Sequence, residues 1–130
     1  MVVDTSAIIA FLEGESLADR IGVALASAER VQISAATLVE AGIVLEARRG
    51  EFGGRELDVL LHRLGAYIEP VNQEHAEAAR AAWREFGKGR HPAGLNFGDC
   101  FAYALSVVSG DPLLFVGEDF ARTDVAVAPY

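Results

Sequence analysis

The sequence is poor in cysteine and in long apolar runs, and each shortage excludes a class of protein. Cys100 is the only cysteine of the 130 residues, so no disulfide can form within the chain, which fits a reducing cytoplasm. No stretch of about 18 uninterrupted apolar residues occurs, which argues against a membrane span. The start of the chain, MVVDTSAII, lacks a basic segment and meets an acid at Asp4, so it does not predict a signal peptide.

Positive charge is also scarce. The chain has 11 Lys and Arg residues against 19 Asp and Glu, a formal net charge of -8, and Lys88 is its only lysine. This balance argues against broad nucleic-acid binding and favours a basic partner or a metal ion. Zinc is not indicated, because the three histidines (His62, His75 and His91) are scattered without paired ligand spacing.

The hydrophobic pattern predicts one α/β domain over residues 1–130. A hydrophobic fraction of 52% is enough for a sizeable core in a chain of this length. Short β-branched runs alternate with helical periodicity, which predicts right-handed crossovers and a three-layer α/β/α sandwich with a mostly parallel sheet of four to five strands. Strands are predicted at MVVD, VQIS, YIEPV, PLLFV and, as an edge strand, VAVA; helices are predicted at TSAIIAFLEGE, SLADRIGVALASAE, AATLVEAGIVLEARRG, GRELDVLLHRLGA, QEHAEAARAAWREFG and FGDCFAYALSVVSG.

Two acids follow predicted strands. Asp4 comes directly after the first strand, and Asp119 lies just past PLLFV. In open α/β sheets ligands bind at the carboxyl ends of the strands, so both acids are candidates for a site there. The structural alternatives are a helix cap for Asp4 and an ordinary loop acid for Asp119.

Two further acids interrupt apolar helices. Asp99 stands in the middle of LNFGDCFAYAL, and Glu40 shares a predicted core-facing stripe with Ala36, Ile43, Val44 and Ala47. A lone carboxylate in a dry core is costly unless it is paired, neutralised or bound to a metal. The structural alternatives are a dipole-stabilised acid in the first helical turn for Asp99 and an acid at the edge of the stripe for Glu40.

Taken together, the four acids predict a site for a hard divalent cation. Carboxylates that crowd together raise one another's pKa, and a cation removes that repulsion. Mg²⁺ and Mn²⁺ prefer carboxylate and water oxygens, so either ion suits this set.

The ordered motifs resemble those of PIN-domain ribonucleases of the VapC toxin type. The resemblance extends over nearly the whole chain and rests on VVDTSAIIAFL, the isolated Glu40, LNFGDCFAYALS and PLLFVGEDFARTDV. The resemblance implies a metal-dependent endoribonuclease that is usually dimeric and is held inactive by a VapB antitoxin. Asp4, Glu40 and Asp99 match the three best-marked acids of the family.

The fourth acid departs from the common family pattern. Gly117 stands where many relatives have an acid or Asn, so the resemblance points instead to Asp119, with Glu118 as a competitor. Ser6 and Asn96 are candidates for orienting a metal-bound water, or are only a cap and a turn residue. The metal ligands implied are Asp4, Asp99, Glu40 and Asp119, on Mg²⁺ or Mn²⁺.

Basic residues that could hold RNA lie mostly in one segment. REFGKGRHPAGLN contains Arg84, Lys88, Arg90 and His91, set against only Glu85, and runs into the helix that bears Asp99. We expect Lys88 and Arg90 to bind phosphates without reading bases. Arg48 and Arg49 are next in line, and with the apolar face of SLADRIGVALASAE they are also candidate walls of an antitoxin groove.

Other classes of protein fit less well. A phosphoacceptor domain would show adjacent acids near the first strand and a lysine late in the chain, and a haloacid-dehalogenase-type phosphatase would need an acid where Ser6 stands. Cys100 lacks an evident base partner and is expected to be a buried thiol. A catalytically silent binding module remains open, and a metal-dependent nuclease assay would discriminate it.

Overall fold

The computed structural model describes residues 1–130 and confirms an α/β architecture. Four strands form one fully parallel sheet in the order β3-β2-β1-β4, and these are β1 (Val2–Val3), β2 (Gln32–Ser34), β3 (Tyr67–Glu69) and β4 (Leu113–Leu114). The six α-helices are α1 (Thr5–Leu12), α2 (Ala18–Ser27), α3 (Ala35–Arg49), α4 (Glu51–Leu64), α5 (Gln73–Phe86) and α6 (Phe97–Ser109).

Helices cover both faces of the sheet. Successive strand residues point to opposite faces, and here Val2 and Leu113 belong to one buried cluster while Val3 and Leu114 belong to another. The first cluster contains residues of α5 and α6, and the second contains residues of α1 to α4. The three-layer sandwich is therefore confirmed. None of the helices combines the length and the apolar character that crossing a bilayer requires.

Helix α4 begins earlier than its sequence predicts. It starts at Glu51, directly after Gly50, and so includes Gly53 and Gly54. A Cβ atom on Gly53 would lie 2.5 Å from the carbonyl oxygen of Leu45. The two glycines therefore allow α4 to pack closely on α3, and they do not mark a loop.

The predicted edge strand VAVA is wrong. Only an isolated parallel bridge joins Val127 to Leu113, and it is made by two hydrogen bonds to the backbone of Leu113. No further backbone hydrogen bonds extend this bridge into a strand. The sheet accordingly has four strands.

The predicted core stripe of α3 is also wrong. The buried residues of this helix are Thr37, Ala41 and Leu45, whereas Ile43 is 64% exposed. Glu40 is half-buried and lies beside this stripe instead of within it. This orientation turns Glu40 away from the core and toward the first turn of α6, as described below.

Candidate functional site

Asp4 lies where β1 ends and α1 begins, and hydrogen bonds hold it there. Its Oδ2 accepts from the backbone N–H of Ser6 at 2.8 Å, which caps α1, and from the Ser6 hydroxyl at 2.6 Å. The Ser6 hydroxyl oxygen in turn accepts from the N–H of Val116 at 3.0 Å. Ser6 thus ties Asp4 to the chain that leaves β4, at the carboxyl edge of the sheet.

The second oxygen of Asp4 has no partner. Asp4 is 3% exposed, and its Oδ1 is buried without a hydrogen bond. Burial raises the pKa of Asp4 above its ordinary value, and the negative charge of Glu40 raises it further, although the bonds from Ser6 oppose the shift. A buried, unpartnered carboxylate oxygen is costly and is suited to binding a cation.

Asp99 occupies the third position of α6 and forms a capping box with Asn96. The Asn96 side chain accepts from the N–H of Asp99 at 2.9 Å, and Asp99 Oδ2 accepts from the N–H of Asn96 at 2.9 Å. Burial raises the pKa of Asp99 to about 6, and the nearby carboxylates of Asp4, Asp119 and Glu40 add to the shift. Asp99 therefore shares an electrostatic environment with the other three candidate acids.

Glu40 reaches this place because Gly98 has no side chain. A Cβ atom built on Gly98 would lie 1.6 Å from Glu40 Oε2, so the carboxylate rests directly against the α6 backbone. Any side chain at position 98 would displace Glu40 from this contact. The sequence indicates Glu40 but not Gly98, whose position just before Asp99 is the one signal for it.

One open cleft of about 410 Å³ is lined by Asp4, Glu40 and Asp99, and we call it the acidic cleft. Glu15, which the sequence does not indicate, and Arg48, which is next in line for holding RNA, also line it. Arg48 pairs with Glu13 at 2.5 Å, and no arginine, lysine or histidine pairs with Asp4, Glu40 or Asp99. The lining residues are Asp4, Thr5, Ser6, Ile9, Glu15, Glu40, Val44, Arg48, Asn96, Asp99 and Val116.

Asp119 lies beside the acidic cleft and does not line it. It precedes a short 3₁₀ turn, Phe120–Arg122, and its side chain is exposed, as is that of Glu118. Its charge is nevertheless among the main causes of the raised pKa of Asp99, and the charge of Glu118 is not. This difference favours Asp119 over Glu118 as the fourth acid.

The acidic cleft fits a hydrated divalent cation. As the side chains stand, no three His, Cys, Asp or Glu residues form a group that could hold a metal ion directly. Mg²⁺ commonly keeps several waters and binds proteins through only one or two carboxylates, so a closed shell of protein ligands is not required. The unpartnered Oδ1 of Asp4 and the repulsion between Asp4, Asp99 and Glu40 suit such an ion.

The four predicted RNA-binding residues are not brought to one point. Arg84 lines a separate groove between α5 and α6, and Lys88 is exposed on the following loop. The Arg90 guanidinium stacks over the Trp83 ring at 4.8 Å. His91 accepts the N–H of Ala93 at its Nδ1, so it organises the loop.

The sequence matches the PIN domain family over residues 1–126. The chain therefore belongs to the PIN-domain family. Among curated proteins it is 53% identical over 126 residues to Ribonuclease VapC of Mycolicibacterium smegmatis, which covers 97% of this chain and 98% of that protein. It is 52% identical over 126 residues to Ribonuclease VapC30 of Mycobacterium tuberculosis, covering 97% and 96%.

Solved structures share the fold at lower sequence identity. The chain superposes on the crystal structure of Mycobacterium tuberculosis VapC20, a sarcin-ricin loop cleaving toxin, with a TM-score of 0.79 at 20% identity, covering 99% of this chain and 98% of that one. A toxin–antitoxin complex from Klebsiella pneumoniae gives a TM-score of 0.71 at 22% identity, with coverage of 99% and 97%. These likenesses bear out the PIN-like sandwich.

Proposed function

We propose that the protein is a divalent-metal-dependent endoribonuclease and acts as the toxin of a toxin–antitoxin pair. The observation that carries the proposal is the buried, unpartnered Oδ1 of Asp4 in a cleft shared with Asp99 and Glu40. The proteins it resembles at about half identity are named VapC ribonucleases, which supports RNA as the substrate. An RNA substrate also favours a cytoplasmic location.

Each site residue has a distinct role in this proposal. Asp4 and Asp99 would bind the metal through the oxygens that their capping bonds leave free, and Asp119 would complete the set from its exposed turn. Glu40 would bind the ion or hold the attacking water. Ser6 and Asn96 orient Asp4 and Asp99 through hydrogen bonds of 2.6 to 2.9 Å, so both are positioning residues.

The chemistry needs no protein nucleophile. Bound Mg²⁺ or Mn²⁺ would supply positive charge to the scissile phosphate and acidity to a coordinated water. The Cys100 thiol is buried, and burial raises its pKa to about 11, so it is not a thiolate nucleophile at neutral pH. The carboxylates therefore carry the reaction.

Lys88 and Arg90 would bind the RNA backbone. Both are exposed, and neither joins any of the ion pairs that the structure contains. Free cations close to a helix that bears a site acid are suited to phosphate contacts, which position RNA without selecting its sequence. Arg84 and His91 belong to the same segment, with His91 acting mainly on the loop conformation.

The groove that would receive a VapB-type antitoxin lies between α2 and α4. It is open and mostly apolar, and Gly22, Leu25 and Ala26 of α2 form one wall. Helix α4 forms the opposite wall. Arg48 and Arg49, which the sequence also predicts as walls, do not line this groove and instead pair with Glu13 and Glu56. The homodimer that the family resemblance implies stays a prediction.

A nuclease assay with matched variants tests the function. Purified protein is incubated with total RNA in Mg²⁺, in Mn²⁺ and in chelator, beside Asp4→Asn and the exposed control Asp58→Asn. We expect metal-dependent cleavage that Asp4→Asn abolishes and Asp58→Asn keeps. Absence of cleavage with either metal, from folded protein, would leave a silent binding module as the better explanation.

Expression tests the toxin role separately. We expect the chain alone to arrest growth and a co-expressed neighbouring antitoxin gene to restore it. Unimpaired growth with abundant soluble, active enzyme would contradict the role in a toxin–antitoxin pair while leaving the ribonuclease activity intact.

A further inference from the structure

Arg48 is the only basic residue that lines the acidic cleft. It lies in the last turn of α3, eight residues after Glu40, so about 12 Å separate the two residues along the helix axis. Val44 lies between them and also lines the cleft. One wall of the cleft therefore has a carboxylate near one end and an arginine near the other.

Glu13 alone holds the Arg48 side chain. Arg48 Nη1 donates to Glu13 Oε2 at 2.5 Å, and the guanidinium makes no other hydrogen bond or ion pair. The Arg48 side chain is 53% exposed, and an exposed ion pair of this kind contributes little to stability. Exchanging Glu13 for another anion would therefore cost at most about fivefold in affinity.

The neighbouring Arg49 is held by several groups at once. It pairs with Glu56 at 2.6 Å, donates to the carbonyl of Leu12 at 3.5 Å and lies over the Phe52 ring at 5.2 Å. A new partner for Arg49 would have to replace all of these contacts. Of the two arginines at the end of α3, Arg48 is therefore the one that can change partner.

Negative charge surrounds Arg48 in the acidic cleft. The other charged residues that line the cleft are all acids, namely Asp4, Glu15, Glu40 and Asp99. A bound divalent ion would offset part of this charge and stabilise the phosphate that is cut. The next phosphate of an RNA strand needs a cation of its own, and Arg48 is the one that the cleft offers.

A phosphate suits this arginine better than Glu13 does. Glu13 is the C-cap residue of α1, where its carboxylate meets the negative end of the helix dipole and the cation of Arg48 offsets that charge. The contact uses one nitrogen of the guanidinium, whereas the two free oxygens of a phosphodiester accept both arms of the guanidinium fork. A phosphate in the cleft is therefore expected to displace Glu13.

We infer that Glu13 holds Arg48 at the edge of the acidic cleft until RNA binds, and that Arg48 then pairs with a phosphate next to the scissile one. This inference rests on the proposed ribonuclease function and adds a substrate-binding residue to its site. Such a contact positions the RNA backbone and does not select a base. The competing interpretation is an ion pair that only joins α1 to α3.

The two interpretations differ in the sign of one effect. The probe is a fluorescently labelled 12-nucleotide single-stranded RNA, titrated at several salt concentrations in Mg²⁺ into Asp99→Asn protein, which should bind RNA without cutting it. Arg48→Gln should weaken binding at least about threefold and lower the salt dependence by roughly one unit of slope. Glu13→Gln should instead tighten binding, by up to about fivefold, because it removes the competing carboxylate.

A second ion pair of the chain provides matched controls. Arg30 and Glu69 pair at 3.0 Å with side chains 54% and 28% exposed, against 53% and 23% for Arg48 and Glu13, and neither lines the cleft. Arg30→Gln and Glu69→Gln make the same changes of charge, and each should change affinity by less than about twofold. In the Arg48→Gln background, Glu13→Gln should have no further effect, because the pair is already broken.

Three results would overturn the inference, provided that circular dichroism shows each variant folded. These are an unchanged affinity and salt slope in Arg48→Gln, a weakened affinity in Glu13→Gln, or a tightening in Glu13→Gln no larger than that in Glu69→Gln. The second result would assign the ion pair to joining α1 and α3, and the third to net charge alone. Failure of the proposed function is separate, since unaltered protein with Mg²⁺ or Mn²⁺ would then cut no RNA at all.

Discussion

Replacing Asp99 by asparagine removes one charge from the acidic cleft and preserves the shape of the side chain. Asparagine can still accept the N–H of Asn96 through its carbonyl oxygen, so the capping box survives. The structure raises the pKa of Asp99 from 3.8 to about 6, and each unit corresponds to about 1.4 kcal/mol. The ionised form therefore destabilises the native state by at most about 3 kcal/mol.

The expected gain is smaller than this limit. Asp99 is only partly buried, and the amide that replaces it also loses hydration, so we expect Asp99→Asn to stabilise the metal-free protein by about 1 to 2 kcal/mol at pH 8. For a chain of this size that corresponds to a rise in melting temperature of roughly 3 to 10 °C. Circular dichroism melts in chelator measure it, with the exposed Asp58→Asn as control.

The sign of the pH dependence is fixed by the direction of the shift. Because the native state holds the Asp99 proton more tightly than the unfolded chain, stability is lost as the pH rises from about 4 through about 6. The advantage of Asp99→Asn should therefore be full at pH 8 and shrink steadily below pH 6. Two results would refute repulsion between Asp99 and the neighbouring acids. One is an Asp99→Asn variant that melts at or below the parent temperature at pH 8, and the other is a difference in melting temperature that does not change with pH.

Three more substitutions probe the arrangement of the cleft. Gly98→Ala should displace Glu40 and lower RNA cleavage at least about tenfold. It should not lower the melting temperature, since alanine favours a helix over glycine by up to about 1 kcal/mol. Unchanged cleavage would contradict a role for the contact between Gly98 and Glu40. Ser6→Ala should cost about 1 to 2 kcal/mol in denaturant titration, because it removes two hydrogen bonds. Asp119→Ala should weaken Mg²⁺ binding in calorimetry far more than Glu118→Ala, and equal losses would reject Asp119 as a ligand.

Much of the fold could be predicted from the sequence, because hydrophobic periodicity indicates the helices and strands and their order along the chain indicates the topology. The β-branched VV before Asp4 and the helical repeat of QEHAEAARAAWREF correspond to β1 and α5. Parallel topology follows from the alternation of strands and helices, and it places Asp4 at the carboxyl edge of the sheet. Local signals were sufficient wherever one face of an element is clearly apolar.

Tertiary contacts decided what periodicity could not. Helix α3 carries apolar residues on most of its surface, so its spacing alone could not identify Thr37, Ala41 and Leu45 as the buried set. The early start of α4 and the position of Glu40 both depend on close approaches to glycine, at Gly53 and Gly98. A glycine in sequence indicates either a turn or a close contact, and only the packed neighbour distinguishes the two.

The capping and metal-binding interpretations of Asp4 and Asp99 are compatible, because the capping bonds use only one of the two oxygens of each carboxylate. Asp4 Oδ2 caps α1 and accepts two hydrogen bonds, while its Oδ1 is left buried and unpartnered. Asp99 likewise uses Oδ2 for its capping box. Capping fixes the direction of each carboxylate at the start of a helix, and the remaining oxygen is then held in a set direction without needing a further side chain. A capping role for Asp4 or Asp99 is therefore not evidence against the proposed metal site, since the cap fixes the direction of the carboxylate that would bind the ion.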